Sequence, residues 1–365
     1  MSLLYQIGLT LVKGIGVITA KQIVEHLDDV SLLFTEKKQL LERIPGISKK
    51  IIAEIHHPNV LRRAEQEVRF IEKNKITPLF IRDENYPDRF RDCIDAPVLL
   101  YQKGNVDLNT KKVISIVGTR HATNYGKGII ENLMEEIAQS YPETLIVSGL
   151  AYGIDICAHR AALKNALPTV GVLAHGLDRI YPSAHRNTAI EMLNKGGLLT
   201  DFMSETNPDK PNFVKRNRIV AGISDCTIII ESAAKGGALI TANVADSYNR
   251  DVFAVPGRTT DPYSIGCNSL IKNKKAILIT CAEDLFREMC WNTTASKPAV
   301  QRDLFVKLLP EEQALVDLIS SHENLQLNTM AVETNLPISQ LAGILFDLEM
   351  KGVIRCMPGG VYCFA

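Results

Sequence analysis

Six short apolar runs, at residues 113–117, 144–147, 169–173, 227–230, 252–255 and 276–279, recur through the middle of the chain, separated by helical segments. They read as continuous apolar stretches, without the polar–apolar alternation of a half-exposed strand. Strands buried on both faces have that pattern, and burial on both faces follows when crossover helices cover a parallel sheet. The expected fold class is therefore α/β: a doubly wound sheet that binds its ligand at the carboxyl ends of its strands.

The chain has 365 residues, more than one ordinary domain needs. Residues 1–75 read as short helices, 76–290 as the α/β domain with a Pro-containing lead-in, 291–304 as a polar linker and 305–365 as a last small domain. In the first segment Lys13-Gly14-Ile15-Gly16 and Pro45-Gly46-Ile47-Ser48 each precede an amphipathic stretch. The pair resembles tandem helix-hairpin-helix units of a SAM-like domain, with Ser48 where a second glycine is expected. Such hairpins either present backbone N–H groups to a DNA phosphate or simply pack helices. In the last segment three helices and a hairpin turning at Pro358-Gly359-Gly360 spell a winged helix. Its longest helix carries Asp347 and Glu349 against a single cation, Lys351, and so favours packing over entry into a major groove.

Hydrophobic residues make up 46% of the chain, enough for a core, and 41 basic side chains balance 41 acidic ones. A polyanion would have to be held by a local patch. Eight cysteines occur without a Cys-x-x-Cys pair, which points to buried free thiols in a reducing compartment, with no metal site. The first residues lack a signal-peptide pattern and no apolar run approaches the roughly 18 residues of a membrane span. A soluble, cytoplasmic protein with no membrane partner is expected.

Anion-binding features cluster in the loops after the apolar runs. Gly118-Thr119-Arg120 ends the first, with a helix start just beyond. The glycine permits close backbone approach, the helix start offers free N–H groups, and Arg120 adds a bidentate fork. Gly149 opens the loop after the second run, and that loop continues to Asp155 and His159 one helical turn apart. These two suit either an acid–base pair or a helix-start carboxylate with a loop-orienting histidine. His185 and Arg186 follow Tyr181-Pro182 after the third run. Lys215-Arg216-Asn217-Arg218 precedes the fourth, and Lys235-Gly236-Gly237 with Thr241 follows it. At about 100° per residue, Arg216 and Arg218 stand about 200° apart on a helix and cannot grip one ligand equally. One of them could instead buttress the fold by pairing with Glu231 or Glu205.

Enzymatic fingerprints fail at these loops. Gly118 and Gly126 have seven residues between them where a P-loop needs four, and no Ser or Thr follows Lys127. Ser148-Gly149-Leu150-Ala151-Tyr152-Gly153 lacks the third glycine of a dinucleotide site.

Taken in order, Val117-Gly118-Thr119-Arg120, Ser148-Gly149-Leu150-Ala151-x-Gly153-Ile154-Asp155, Gly176-Leu177-Asp178 with Tyr181-Pro182, Arg216-Asn217-Arg218, Gly237-Ala238-Leu239-Ile240-Thr241-Ala242 and Val255-Pro256-Gly257 resemble the DprA/Smf family over about 80–285. The resemblance implies an extended Rossmann-like domain that binds single-stranded DNA during natural transformation, protects it and loads the recombinase RecA. It also implies a homodimer, single-stranded-DNA-binding protein as a further partner, no cofactor and no catalytic residue. Carried onto this chain, the strand would be held by Gly118, Thr119, Arg120, Gly149, His185, Arg186, Lys215 to Arg218, Lys235, Gly236, Gly237 and Thr241. Leu270, Ile271, Ile277 and Ile279 would form the partner surface. His185, Asp201, Gly236 and Ala238 depart from the residues usual in the family and alter hydrogen-bonding groups there. The competing readings are a phosphoribohydrolase-like nucleotide hydrolase, whose Pro-Gly-Gly loop is missing from the sheet segment, and a transcription regulator acting through the winged helix.

Overall fold

The computed structural model describes residues 2–42, 44, 46–291, 309–321, 325–334, 336–351, 353–357 and 361–364. Two compact units result, Met1–Thr293 and Thr294–Ala365. The expected linker lies almost entirely outside the described residues, as does the Pro358-Gly359-Gly360 turn.

The first unit is built on a nine-stranded sheet: β1 (Thr77–Phe80), β2 (Leu99–Gly104), β3 (Val113–Val117), β4 (Leu145–Ser148), β5 (Thr169–Val172), β6 (Gly197–Thr200), β7 (Cys226–Ile229), β8 (Asp251–Ala254) and β9 (Ile277–Leu278). Their order is β1-β2-β6-β5-β4-β3-β7-β8-β9. From β6 to β9 all neighbours run parallel; β2 joins β6, and β1 joins β2, in antiparallel register. All six apolar runs became parallel strands, the last shortened to two residues. Three strands were not anticipated. β1 and β2 occupy the proline-bearing lead-in, and Gly-Leu-Leu-Thr of β6 is too short and glycine-led to stand out.

Residue alternation along β3 shows why a continuous apolar run was needed. Val113 and Val117 join a core with Ile219 and Val220 of the helix Lys210–Gly222 and Ala238 and Ala242 of the helix Gly237–Ser247. Ile114 and Ile116 point into the opposite layer, against Ile130, Leu133 and Met134 of the helix Asn124–Ser140 and Ile154 and Ala158 of the helix Ile154–Lys164. Ser115, the polar member, is fully buried and meets Thr227 Oγ1 on β7 at 2.7 Å.

Helices Leu3–Leu11, Val17–His26, Lys49–Ile55 and Pro58–Asn74 fold against the same unit. Gly14 (φ +95°) and Gly46 (φ +85°) make the two hairpin turns in a conformation that side chains disfavour. Ser48 has a definite use: its hydroxyl accepts from Ile51 N and caps the helix Lys49–Ile55. Glu67 ties the helical segment to the sheet region, accepting from Ser204 N at 2.9 Å and Ser204 Oγ at 2.5 Å while paired with Arg63 at 2.9 Å.

In the second unit helices Pro310–Ser321, Leu327–Thr334 and Ile338–Met350 enclose Leu315, Ile319, Met330, Leu341, Leu345 and Leu348 beside a three-stranded antiparallel sheet. This is the winged helix. Lys351 Nζ lies 2.6 Å from Glu312, so the cation at the end of the longest helix is neutralised within the unit.

Candidate nucleic-acid interface

The chain leaves β3 towards β4 and β5 on one side and β7 to β9 on the other, so the connections after β3 and β7 diverge. A crevice at the carboxyl ends of the strands follows from that topology. Here it is a cleft of about 400 Å³ whose lining includes Gly118, Arg120, Arg216, Asn217, Lys235 and Thr241.

One wall is the turn after β3. Thr119 N donates to Glu231 O at 2.7 Å, and Thr119 O accepts from Ile154 N at 3.1 Å, locking the turn to both neighbouring loops. The space is tight: a Cβ on Gly118 would lie 2.5 Å from Ile154 Cγ1. Glu231, almost wholly buried, accepts from Thr123 N at 3.0 Å and Thr123 Oγ1 at 2.6 Å and so fixes the start of the following helix. Arg120 is exposed above this turn, with its guanidinium over the Phe213 ring at 5.4 Å.

The floor holds two buried side chains of opposite charge, Arg216 and Asp155. Arg216 is 4% exposed, and its Nη1 donates to Val172 O at 2.6 Å. Asp155 accepts from Gly149 N at 3.1 Å and Ala151 N at 3.4 Å. Burial pushes the Asp155 carboxyl above its ordinary range, opposed by Arg216 and by those two amides. Arg216 Nε is buried with no protein partner among the described residues, which leaves a cation at the cleft floor with unmet hydrogen-bonding capacity. Gly149 makes room for it: a Cβ there would lie 2.0 Å from Arg216 Nη1.

The opposite wall is the glycine-rich turn. Gly236 caps the helix Gly237–Ser247 without any side-chain hydrogen bond, so the helix start faces the cleft undecorated. Lys235 beside it is exposed.

Nine of the sequence-expected contacts meet in this cleft: Gly118, Thr119, Arg120, Arg216, Asn217, Lys235, Gly236, Gly237 and Thr241. Gly149 lies directly beneath Arg216. The others go elsewhere. Lys215 and Arg218 face a second cleft of about 700 Å³ bordered by Gly16 to Ala20, and Arg218 is engaged by Asp201 at 2.5 Å and by the Asp95 carbonyl. The half-turn offset along the helix has this consequence. The buttressing carboxylate is therefore Asp201, and not Glu231 or Glu205. His185 is 4% exposed and bonds Leu150 O at 2.8 Å, while Arg186 opens onto a separate groove. His159 is fully buried, with Nδ1 2.7 Å from Thr169 Oγ1, and burial drives its pKa down to about 3. Thr169 Oγ1 itself donates to Ile146 O, so His159 Nδ1 carries the proton. That is a neutral, fold-orienting histidine. Of the expected partner surface, Leu270 and Ile279 are buried in the subunit's own cores and are not available to a partner, whereas Ile277 is 40% exposed on edge strand β9.

Lys210 and Phe213 were missed. Their signal was helical spacing: residues 210, 213 and 217 share one face at i, i+3 and i+7. Tyr263, stacked on His121 at 6.1 Å between centroids, was missed because loops distant in sequence bring the rings together. Among the described residues no group of three or more His, Cys, Asp or Glu side chains could hold a metal ion, and no helix is long and apolar enough to cross a membrane.

Residues 77–290 match the family model described as DNA recombination-mediator protein A, and 298–360 match the DprA winged helix domain. This chain belongs to the DprA family. Its similarity to DNA processing protein DprA of Bacillus subtilis is 40% identity over 215 residues, 59% of this chain and 71% of that protein. Protein Smf of Escherichia coli is 31% identical over 284 residues, 76% of this chain and 74% of the relative. The X-ray structure of DprA from Streptococcus pneumoniae superimposes with a TM-score of 0.65 at 31% identity, covering 79% of this chain and 98% of that one. DNA processing protein A from Helicobacter pylori, studied for its single-stranded DNA binding mode, gives 0.53 at 30% identity over 59% and 96% of the two chains. The DprA match begins at the first residue of β1, so the two unanticipated antiparallel strands belong to the family domain.

Proposed function

We propose that this protein binds single-stranded DNA in the cleft between the β3 and β7 loops and mediates recombination by protecting the strand and loading RecA onto it. One observation carries the reading: Arg216, a buried cation with an unpartnered Nε, floors a cleft whose rim holds the exposed cations Arg120 and Lys235. A DNA backbone supplies regularly spaced anions to such a set, and Phe213 and Tyr263 supply ring surface for unpaired bases. The family membership and the Helicobacter pylori relative support the same ligand. A homodimer, a single-stranded-DNA-binding protein as second partner, a cytoplasmic location and a part in natural transformation belong to this proposal through the family resemblance.

The reading is of a binder without a chemical step. Asp155, the carboxylate in the cleft, is held by two backbone amides and faces Arg216, and His159 lies buried on Thr169. A hydrolase acting on nucleotides would need a carboxylate free to reach substrate. Titration of labelled single- and double-stranded oligonucleotides at two salt concentrations tests the proposal. Preference for the single strand, lost in Arg120→Ala, is expected; equal affinity for both forms and for the variant would overturn it. Release of free base from nucleoside monophosphates would instead revive the hydrolase reading.

A further inference from the structure

The cleft does not end at Phe213. The Tyr181 ring packs against Phe213 with centroids 6.0 Å apart and planes inclined at 60°, and Tyr181 is 47% exposed. Tyr152, in the loop after β4, is 50% exposed and packs against buried His185 at 4.9 Å. Half-exposed rings held by a neighbouring ring cost little entropy when a base stacks on them. Next to Tyr181 in the chain, Ile180 lines a separate groove of about 200 Å³. That groove holds Lys103, Arg179 and Arg186 against one carboxylate, Asp178, which Arg179 pairs at 2.7 Å. Arg186 and Lys103 have no ion-pair partner among the described residues. Cleft, rings and the Arg179–Arg186 side of the groove thus follow one another through the loops after β3, β4 and β5, and the groove continues to Lys103 on β2, opposite Leu198 of β6.

Resting on the single-strand reading of the cleft, we infer that the strand continues out of it over Tyr181 and Tyr152, with bases stacked on these rings and its backbone carried onto Arg186 and Lys103. The track suits single strands because a duplex keeps its base faces inside its own stack. It enlarges the site beyond what the cleft holds, so its contribution must depend on oligonucleotide length.

The test measures affinity for unstructured oligonucleotides of increasing length, from a few nucleotides to about twenty, with the wild type and four variants. Wild-type affinity is expected to rise beyond the length that fills the cleft. Tyr181→Ala and Arg186→Ala should bind the shortest ligands as the wild type does and lose most of that rise, about fivefold or more for the ring. Tyr181→Phe, which keeps the ring, should restore it. Arg186→Ala should also flatten the log–log salt slope by about 0.7 for long ligands only. Arg120→Ala should weaken binding at every length. If Tyr181→Ala and Arg186→Ala follow the wild type at all lengths while Arg120→Ala is weakened, the track is wrong and the cleft stands. If Arg120→Ala is without effect at any length, the cleft reading itself fails.

Discussion

Arg216 and Arg218, two residues apart on one helix, face different clefts and have different partners: Arg216 donates to Val172 O at 2.6 Å, whereas Arg218 pairs with Asp201 at 2.5 Å. The basic cluster is thus divided between ligand and scaffold, and the division can be measured.

Arg218→Ala removes one partner of an ion pair in which both side chains are 11% exposed. It leaves Asp201 uncompensated beside the helical segment. Stability should fall by about 3 kcal/mol, the lower end of the range for breaking a buried pair because some solvent reaches it. Chemical denaturation measures the loss, and folded protein at low temperature should retain its affinity for single-stranded DNA.

Gly149→Ala acts on the other arginine without touching it chemically. The new methyl group would overlap the Arg216 guanidinium and push it off Val172 O. Weaker strand binding and a stability loss of about 1–3 kcal/mol are expected, read by anisotropy titration and thermal melting of the same sample. Wild-type binding by this variant would show that Arg216 does not shape the floor.

His159 provides a pH signature. Its pKa in the fold is about 3 against 6.5 when exposed, because burial disfavours the charged ring. The unfolded chain therefore binds the extra proton first. Stability from keeping this ring neutral is complete above about pH 6.5 and is lost progressively as pH falls towards 3. His159→Gln should show a shallower decline of unfolding free energy between pH 6.5 and 4.5 than the wild type. Parallel declines would mean that other groups set the acid limb.

How much of this was written in the chain depends on the range of each interaction. The six parallel strands were legible because burial on both faces leaves an apolar run in the local sequence. The loops after them were legible too, since Gly118, Arg120 and Lys235 mark a turn and a cation within a few residues. Helical geometry even indicated that Arg216 and Arg218 would part. It could not name Asp201 as the buttress, because that contact spans 17 residues and depends on where β6 ends. Leu270 and Ile279 misled for the same reason: apolar residues in a segment near a sheet edge look alike whether the fold covers them or leaves them for a partner.

Ser48 offers a small local check on the helical segment. Ser48→Ala removes the hydroxyl that accepts from Ile51 N and should cost about 0.5–1 kcal/mol, with Ser48→Gly costing only a few tenths. Equal losses for the two would point to a role other than capping.

The most direct test of the cleft is the salt dependence of single-stranded DNA binding by the wild type and by Arg120→Ala/Lys235→Ala. Each lost phosphate contact should reduce the log–log slope by about 0.7, so the double variant should bind more weakly with a slope lower by about 1.4. An unchanged slope and affinity would contradict the assignment of the β3–β7 cleft as the DNA site.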